Sequence, residues 1–143
     1  YSVSKNYEKS AELFQKSASQ GYVKAQSNLG LMYEKGNGVR QDYSKAFDLY
    51  RKAANQGYAE AQHNLGVMYE NGNGVRQDYS KALDMYQKAA NQGYARSQNN
   101  LGVILIKGDG LPQSYSTAKD LFEKSCKNGL QIGCNNYRKL NQR

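Results

Sequence analysis

Tyr43-Ser-Lys-Ala-Phe-Asp-Leu-Tyr-Arg-Lys-Ala-Ala-Asn-Gln56 is followed by Gly57 and then, from Ala59, by Ala-Glu-Ala-Gln-His-Asn-Leu-Gly-Val-Met-Tyr-Glu-Asn71 and Gly72-Asn-Gly74. In the first run Ala46, Leu49, Tyr50, Ala53 and Ala54 fall at the three-and-four spacing of one helical face. Gly57 ends that helix, because glycine is the residue most easily placed in a left-handed cap. The second run, Ala59 to Asn71, sets Ala61, Leu65, Met68 and Tyr69 on one face and Gly66 against a neighbour. A mid-helix glycine costs about 1 kcal/mol relative to alanine, so Gly66 predicts a close helix approach that a side chain would block.

The same text recurs along the chain. Residues 43–78 match 79–114 at 22 of 36 positions, and residues 7–42 match 43–78 at 23 of 36. Tyr7, Tyr43, Tyr79 and Tyr115 form one column, Gly21, Gly57, Gly93 and Gly129 a second, and Gly30, Gly66 and Gly102 a third, with no insertion between them. A fixed period of 36 predicts stacked helix-turn-helix units: an all-α solenoid in one domain over 1–143, with copies 7–42, 43–78, 79–114 and 115–143.

Three copies end in Gly36-Asn-Gly38, Gly72-Asn-Gly74 and Gly108-Asp-Gly110, each followed by Val39, Val75 or Leu111. These turns follow helices rather than strands and lack the remaining spacing of a phosphate loop, so they predict positive backbone angles, with the apolar residue pinning the loop to the core. The last copy replaces Leu and Gly by Tyr137 and Arg138, leaving Asn135, Asn136, Arg138, Lys139 and Asn141 on a short polar helix, as a polar C-terminal cap requires. The third replaces Met-Tyr-Glu by Ile104, Leu105 and Ile106, which is expected to fill a local gap rather than expose an apolar stripe.

With 143 residues and 16.0 kDa the chain is long enough for one core, and 38% hydrophobic content with a single proline excludes a collagen-like or charged disordered chain. The net charge of +8 is scattered, as Lys5, Lys9, Lys16, Lys24, Lys35 and Arg40 show, so no nucleic-acid partner is expected. No apolar run reaches the roughly 18 to 20 residues that span a bilayer. The first residue is Tyr1 rather than Met, so a preceding segment is expected to be missing, and the lack of a leader says little about location.

The combined pattern Asp42-Tyr43-x-Lys45-Ala46, Tyr50-x-Lys52-Ala53-Ala54-x-Gln56-Gly57, Ala61-Gln62-x-Asn64-Leu65-Gly66-x-Met68-Tyr69 and Gly72-x-Gly74-Val75 resembles the Sel-one-like repeat (SLR) family over nearly the whole chain. The resemblance implies a right-handed superhelix of antiparallel helix pairs, related in shape to tetratricopeptide repeats. It also implies a concave face formed by the helices that carry Asn-Leu-Gly. Transferred by position, that face holds Lys24, Asn28, Leu31, Glu60, His63, Asn64, Val67, Arg96, Asn99, Asn100 and Val103. The column Asn28, Asn64, Asn100 and Asn136 suits either an extended peptide backbone or bonds that hold the repeats together.

Cys126 and Cys134 stand in the columns of Ala90 and Gln98, and the helix-ending Asn128-Gly129 between them permits either a bridge or two buried thiols. Similarity to the cysteine-rich bacterial SLR proteins implies the bridge, together with a periplasmic or secreted location in place of the cytoplasm. Two cysteines and the single His63 make no metal site, and no cofactor is expected. Some cysteine-rich relatives are described as beta-lactamases or penicillin-binding proteins, and Ser116-Thr-Ala-Lys119 and Ser2-Val-Ser-Lys5 fit Ser-x-x-Lys. Neither Ser-Asp-Asn nor Lys-Thr-Gly is present, so Ser116 is expected near a helix start and Lys119 toward solvent. A glycan-binding alternative would use the tyrosines, but Tyr7, Tyr50 and Tyr86 are expected in the core. The reading that results is a noncatalytic, monomeric scaffold for a protein or extended peptide.

Overall fold

The computed structural model describes residues 2–108 and 112–142, with side chains for 6–108 and 114–142. Eight helices and no strand occur among them: α1 (Ser2–Ser19), α2 (Val23–Lys35), α3 (Tyr43–Asn55), α4 (Ala59–Asn71), α5 (Tyr79–Asn91), α6 (Ala95–Gly108), α7 (Pro112–Lys127) and α8 (Gln131–Asn141). The expected turn at Asp109 and Gly110, its neighbour Leu111, and the side chains of Ser2 and Lys5 lie outside the described residues. Two compact units, 1–82 and 83–143, are each described by themselves.

In the first unit the ends of α3 follow from its sequence. Asp42 is extended at the N-cap, and its Oδ1 accepts from the Lys45 N–H at 3.1 Å, satisfying one of the helix's orphan donors. At the other end Gly57, with φ +87°, and Tyr58 return their N–H groups to Ala54 and Ala53. The helix buries Ala46, Tyr50 and Ala53 completely. Tyr50 lies against α2 at Gly30, where an added Cβ would stand 2.8 Å from the Tyr50 ring, so the glycine is a packing requirement. The Tyr50 hydroxyl donates to Glu34 Oε1 at 2.8 Å, and Gln56 Nε2 donates to Gln26 Oε1 at 2.9 Å.

The second unit repeats this joint with different side chains. A Cβ at Gly102 of α6 would stand 2.7 Å from the Phe122 ring of α7, and Asn128 Nδ2 donates to Gln98 Oε1 at 3.0 Å. Phe122 lacks a hydroxyl, and Ile106 stands where Glu34 accepts from Tyr50. The polar pair has become an apolar pair, which accounts for part of the Ile104-Leu105-Ile106 replacement. All three of these residues are half-buried.

One expectation is corrected here. Tyr50 and Tyr86 are buried, but Tyr7 is 42% exposed, as are Tyr43 and Tyr79 of its own column in part. Tyr7 stands in the column of Tyr43 and Tyr79, while the buried aromatic column is Tyr50, Tyr86 and Phe122, with Phe14 of the same column half-buried.

Burial, and next the hydrogen bond to Glu34, raise the Tyr50 phenol well above its ordinary 10. The unfolded phenol ionises first, so this contribution to stability is complete below about pH 10 and is lost as pH rises above it. Unfolding free energy is expected to fall above about pH 10 by up to roughly 1.4 kcal/mol per pH unit from this group. Denaturant titrations at several pH values, with Tyr50→Phe as the comparison, should show a shallower fall in the variant.

Candidate functional site

Each Asn-Leu-Gly helix of the first unit presents a stripe at i, i+4 and i+7, which the helical period places on one face. On α2 the stripe is Lys24, Asn28 and Leu31, with Lys24 exposed and the others half-buried. On α4 it is Glu60, Asn64 and Val67, all half-buried, with Tyr58 Oη donating to Glu60 Oε2 at 3.3 Å. In the second unit α6 carries the equivalent Arg96, Asn100 and Val103, with Arg96 exposed. Each stripe therefore offers a charge, an amide and an aliphatic group to solvent.

Two residues expected on that face are interior. His63 and Asn99 are each 6% exposed, together with Ser27 of the same column at 2%. The position precedes the Asn of Asn-Leu-Gly and turns toward the packed side of its helix. Asn99 Oδ1 accepts from Asn136 Nδ2 at 2.8 Å, so the last member of the Asn column ties α8 to α6. The amide column thus bonds within the fold at Asn136.

Sequence reasoning missed a pair of clefts on the other helices. In the first unit a cleft of about 340 Å³ is lined by residues that include Gln15, Gln26, Leu49 and Lys52. In the second unit a cleft of about 310 Å³ is lined by Gln87, Gln98, Leu121 and Lys124 among others. These four residues lie 72 positions, or two periods, beyond the first four. The signal was present as the invariant column Lys16, Lys52, Lys88 and Lys124 and the near-constant column Leu13, Leu49, Met85 and Leu121.

Ser116 and Lys119 share the rim of a third cleft, of about 500 Å³, with Tyr115 and Leu140. Ser116 is exposed near the start of α7, and Lys119 is half-buried with its Nζ 5.9 Å from the Tyr137 ring centroid. No group of three metal-ligating side chains occurs among the described residues.

Cys126 and Cys134 form a disulfide, with Cα atoms 4.4 Å apart, joining α7 to α8. Gly133 beside it is buried, and a Cβ there would meet Ser125 Oγ at 2.5 Å. A bridge closing so short a loop contributes about 2 to 3 kcal/mol, and α8 is the helix it restrains. Reductant is expected to lower the melting temperature and to speed amide exchange in α8 first. Thermal unfolding with and without reductant checks this, and a Cys126→Ser, Cys134→Ser double variant should be insensitive to reductant.

Antiparallel helix pairs, the glycine contacts at Gly30 and Gly102 and a 36-residue period define an α/α repeat solenoid, all-α in class. The chain belongs to the Sel1 repeat family, which matches residues 1–22, 23–58, 59–94 and 95–130. Those limits pair α2 with α3, α4 with α5, and α6 with α7. The chain is similar to c5321, a protective antigen of uropathogenic Escherichia coli with an SLR fold, at 38% identity and TM-score 0.79, over 86% of this chain and 26% of that one. It is similar to a Sel1 repeat protein of Oxalobacter formigenes at 32% identity and TM-score 0.84, over 93% and 55% of the two chains. It is also similar to cysteine rich protein B of Helicobacter pylori at 31% identity and TM-score 0.66, over 84% and 92%. The chain therefore spans about a quarter and about half of the first two structures. No curated protein is matched. No helix among the described residues is long and apolar enough to cross a membrane.

Proposed function

We propose that the chain is a noncatalytic, monomeric scaffold, one solenoid domain over 1–143, that binds an extended peptide or unstructured protein segment along its Asn-Leu-Gly helices. The observation that carries this reading is the stripe of charge, amide and aliphatic group repeated on α2, α4 and α6. Its amide column is constant while its charged column changes from Lys24 to Glu60 to Arg96, as a face with common backbone recognition and position-specific selectivity would. The Cys126–Cys134 bridge and the likeness to a cysteine rich protein favour the periplasm or the exterior of the cell.

A phage-displayed library of random peptides, selected on the oxidised chain, supplies the ligand for the test. Asn64→Ala with Val67→Ser should weaken the selected peptides by about tenfold or more, the loss of roughly 1.4 kcal/mol. Asp48→Ala, on an exposed position of α3, should leave them unchanged. Peptides insensitive to the first pair of substitutions would place binding elsewhere. Covalent capture of a penicillin probe by the wild type but not by Ser116→Ala would overturn the noncatalytic reading.

A further inference from the structure

The stripes on α2 and α4 carry both signs of charge, Lys24 on one and Glu60 on the other, and those helices also hold Glu34 and Glu70. Their equivalents in the second unit differ. α6 and α8 carry Arg96, Lys107, Arg138 and Lys139 and no acidic residue. The described acids of this unit, Asp84, Asp120 and Glu123, stand on α5 and α7, where Asp84 pairs with Lys88 and Glu123 with Lys127. On α8 the stripe is Ile132, Asn136 and Lys139, the reverse of Arg96, Asn100 and Val103 on α6. Ile132 is 52% exposed and Lys139 is exposed as well, so an aliphatic group and an ammonium face solvent at opposite ends of one stripe. The Asn136 to Asn99 hydrogen bond packs the two helices side by side.

We propose, resting on the peptide-scaffold reading, that the face shared by α6 and α8 binds an acidic segment of a partner polypeptide in extended form, with two carboxylates about four residues apart and an aliphatic side chain between them. α6 and α8 are the same element of successive copies and run in the same direction, so Arg96 and Lys139 stand at diagonal corners and Val103 and Ile132 at the other two. The helix rises about 10 Å from Arg96 to Val103, and packed helices lie about 9 Å apart, which sets the two cationic residues about 14 Å apart at the backbone. An extended chain covers that distance in four residues at about 3.4 Å each. The two carboxylates then meet the guanidinium and the ammonium, and the aliphatic side chain between them reaches Ile132. A face with cations and no acid admits such a segment and repels a basic one.

The test titrates a short fluorescein-labelled peptide, with a leucine midway between two glutamates four residues apart, with the oxidised chain and reads anisotropy. Saturable binding is expected. Arg96→Gln or Lys139→Gln should weaken it about threefold, and both together, or glutamine in place of the peptide's glutamates, about tenfold. Both positions are exposed, so circular dichroism should show the fold unchanged. Arg138→Gln removes the same charge from an exposed position on a side of α8 turned away from Asn136 and should leave the affinity as it was. An equal loss there would reduce the effect to net charge and overturn the proposal. Absence of binding overturns it too, as does tighter, Lys139-dependent binding to phosphatidylglycerol vesicles, which would make the face a membrane contact. If library-selected peptides still require Asn64 and Val67 while the acidic peptide does not bind, the scaffold reading stands and the acidic ligand alone falls. If neither holds, both fall.

Discussion

Tyr50→Ala is expected to remove about 4 kcal/mol of stability, enough to leave the first unit largely unfolded at physiological temperature. The side chain is fully buried, and its ring occupies the space that Gly30 leaves open on α2. Truncation therefore creates a cavity bounded on one side by backbone that has no side chain to relax into it. It also strips Glu34 of the hydroxyl that donates to it at 2.8 Å. Tyr50→Phe should cost only about 1 kcal/mol, because it keeps the ring and loses the hydrogen bond alone. The chain makes that substitution itself at Phe122, where Ile106 stands in place of the carboxylate. Urea unfolding of the three proteins should therefore rank wild type, Tyr50→Phe and Tyr50→Ala in that order. Near-equal midpoints for wild type and Tyr50→Ala would show that the joint between α2 and α3 is not limiting.

Gly74→Ala should cost about 3 kcal/mol, although the residue is exposed and the change adds one methyl group. Two effects combine. Gly74 has φ +72°, a region that costs an L-residue roughly 1 to 2 kcal/mol. A Cβ there would also stand 2.5 Å from the Tyr43 carbonyl oxygen and 2.6 Å from its carbon, both backbone atoms of the first turn of α3. Backbone cannot swing aside as a side chain can, so the turn or the helix start must move. Gly38 is set against Tyr7 of α1 in the same way. Gly57→Ala is the control: φ is +87° but nothing lies within 4 Å of its Cβ position, so only the backbone cost of about 1 to 2 kcal/mol remains. Thermal melts should separate Gly74→Ala from Gly57→Ala by several degrees, and equal shifts would refute the backbone clash.

These two residues also mark where reading the chain succeeds. Gly30 and Gly102 were legible as close-packing glycines because a helix interior otherwise rejects glycine, and both face an aromatic ring. The Gly-x-Gly turns were legible as positive-φ turns, and Gly36, Gly38, Gly72 and Gly74 all have φ between 72° and 73°. On exposed helix faces Asp48 pairs with Arg51 and Asp84 with Lys88. The binding face was less legible. His63 and Asn99 are polar, vary between copies and neighbour an invariant Asn, the marks of a surface position, yet both are buried. A polar side chain can be buried wherever a partner satisfies it, and Asn99 has one in Asn136, 37 residues away.

The amino-acid sequence settled the period, the helices, the turns and the family, because each rests on short-range rules: apolar spacing of three and four, capping residues and glycines that repeat every 36 positions. Tertiary structure alone decided which polar columns are interior, that the joint pairs Tyr50 with Glu34, and that Cys126 and Cys134 meet. It also set the stripes of α6 and α8 side by side, through Asn136 and Asn99. Each helix is legible by itself, but which helices pack together is a fact that no local rule carries.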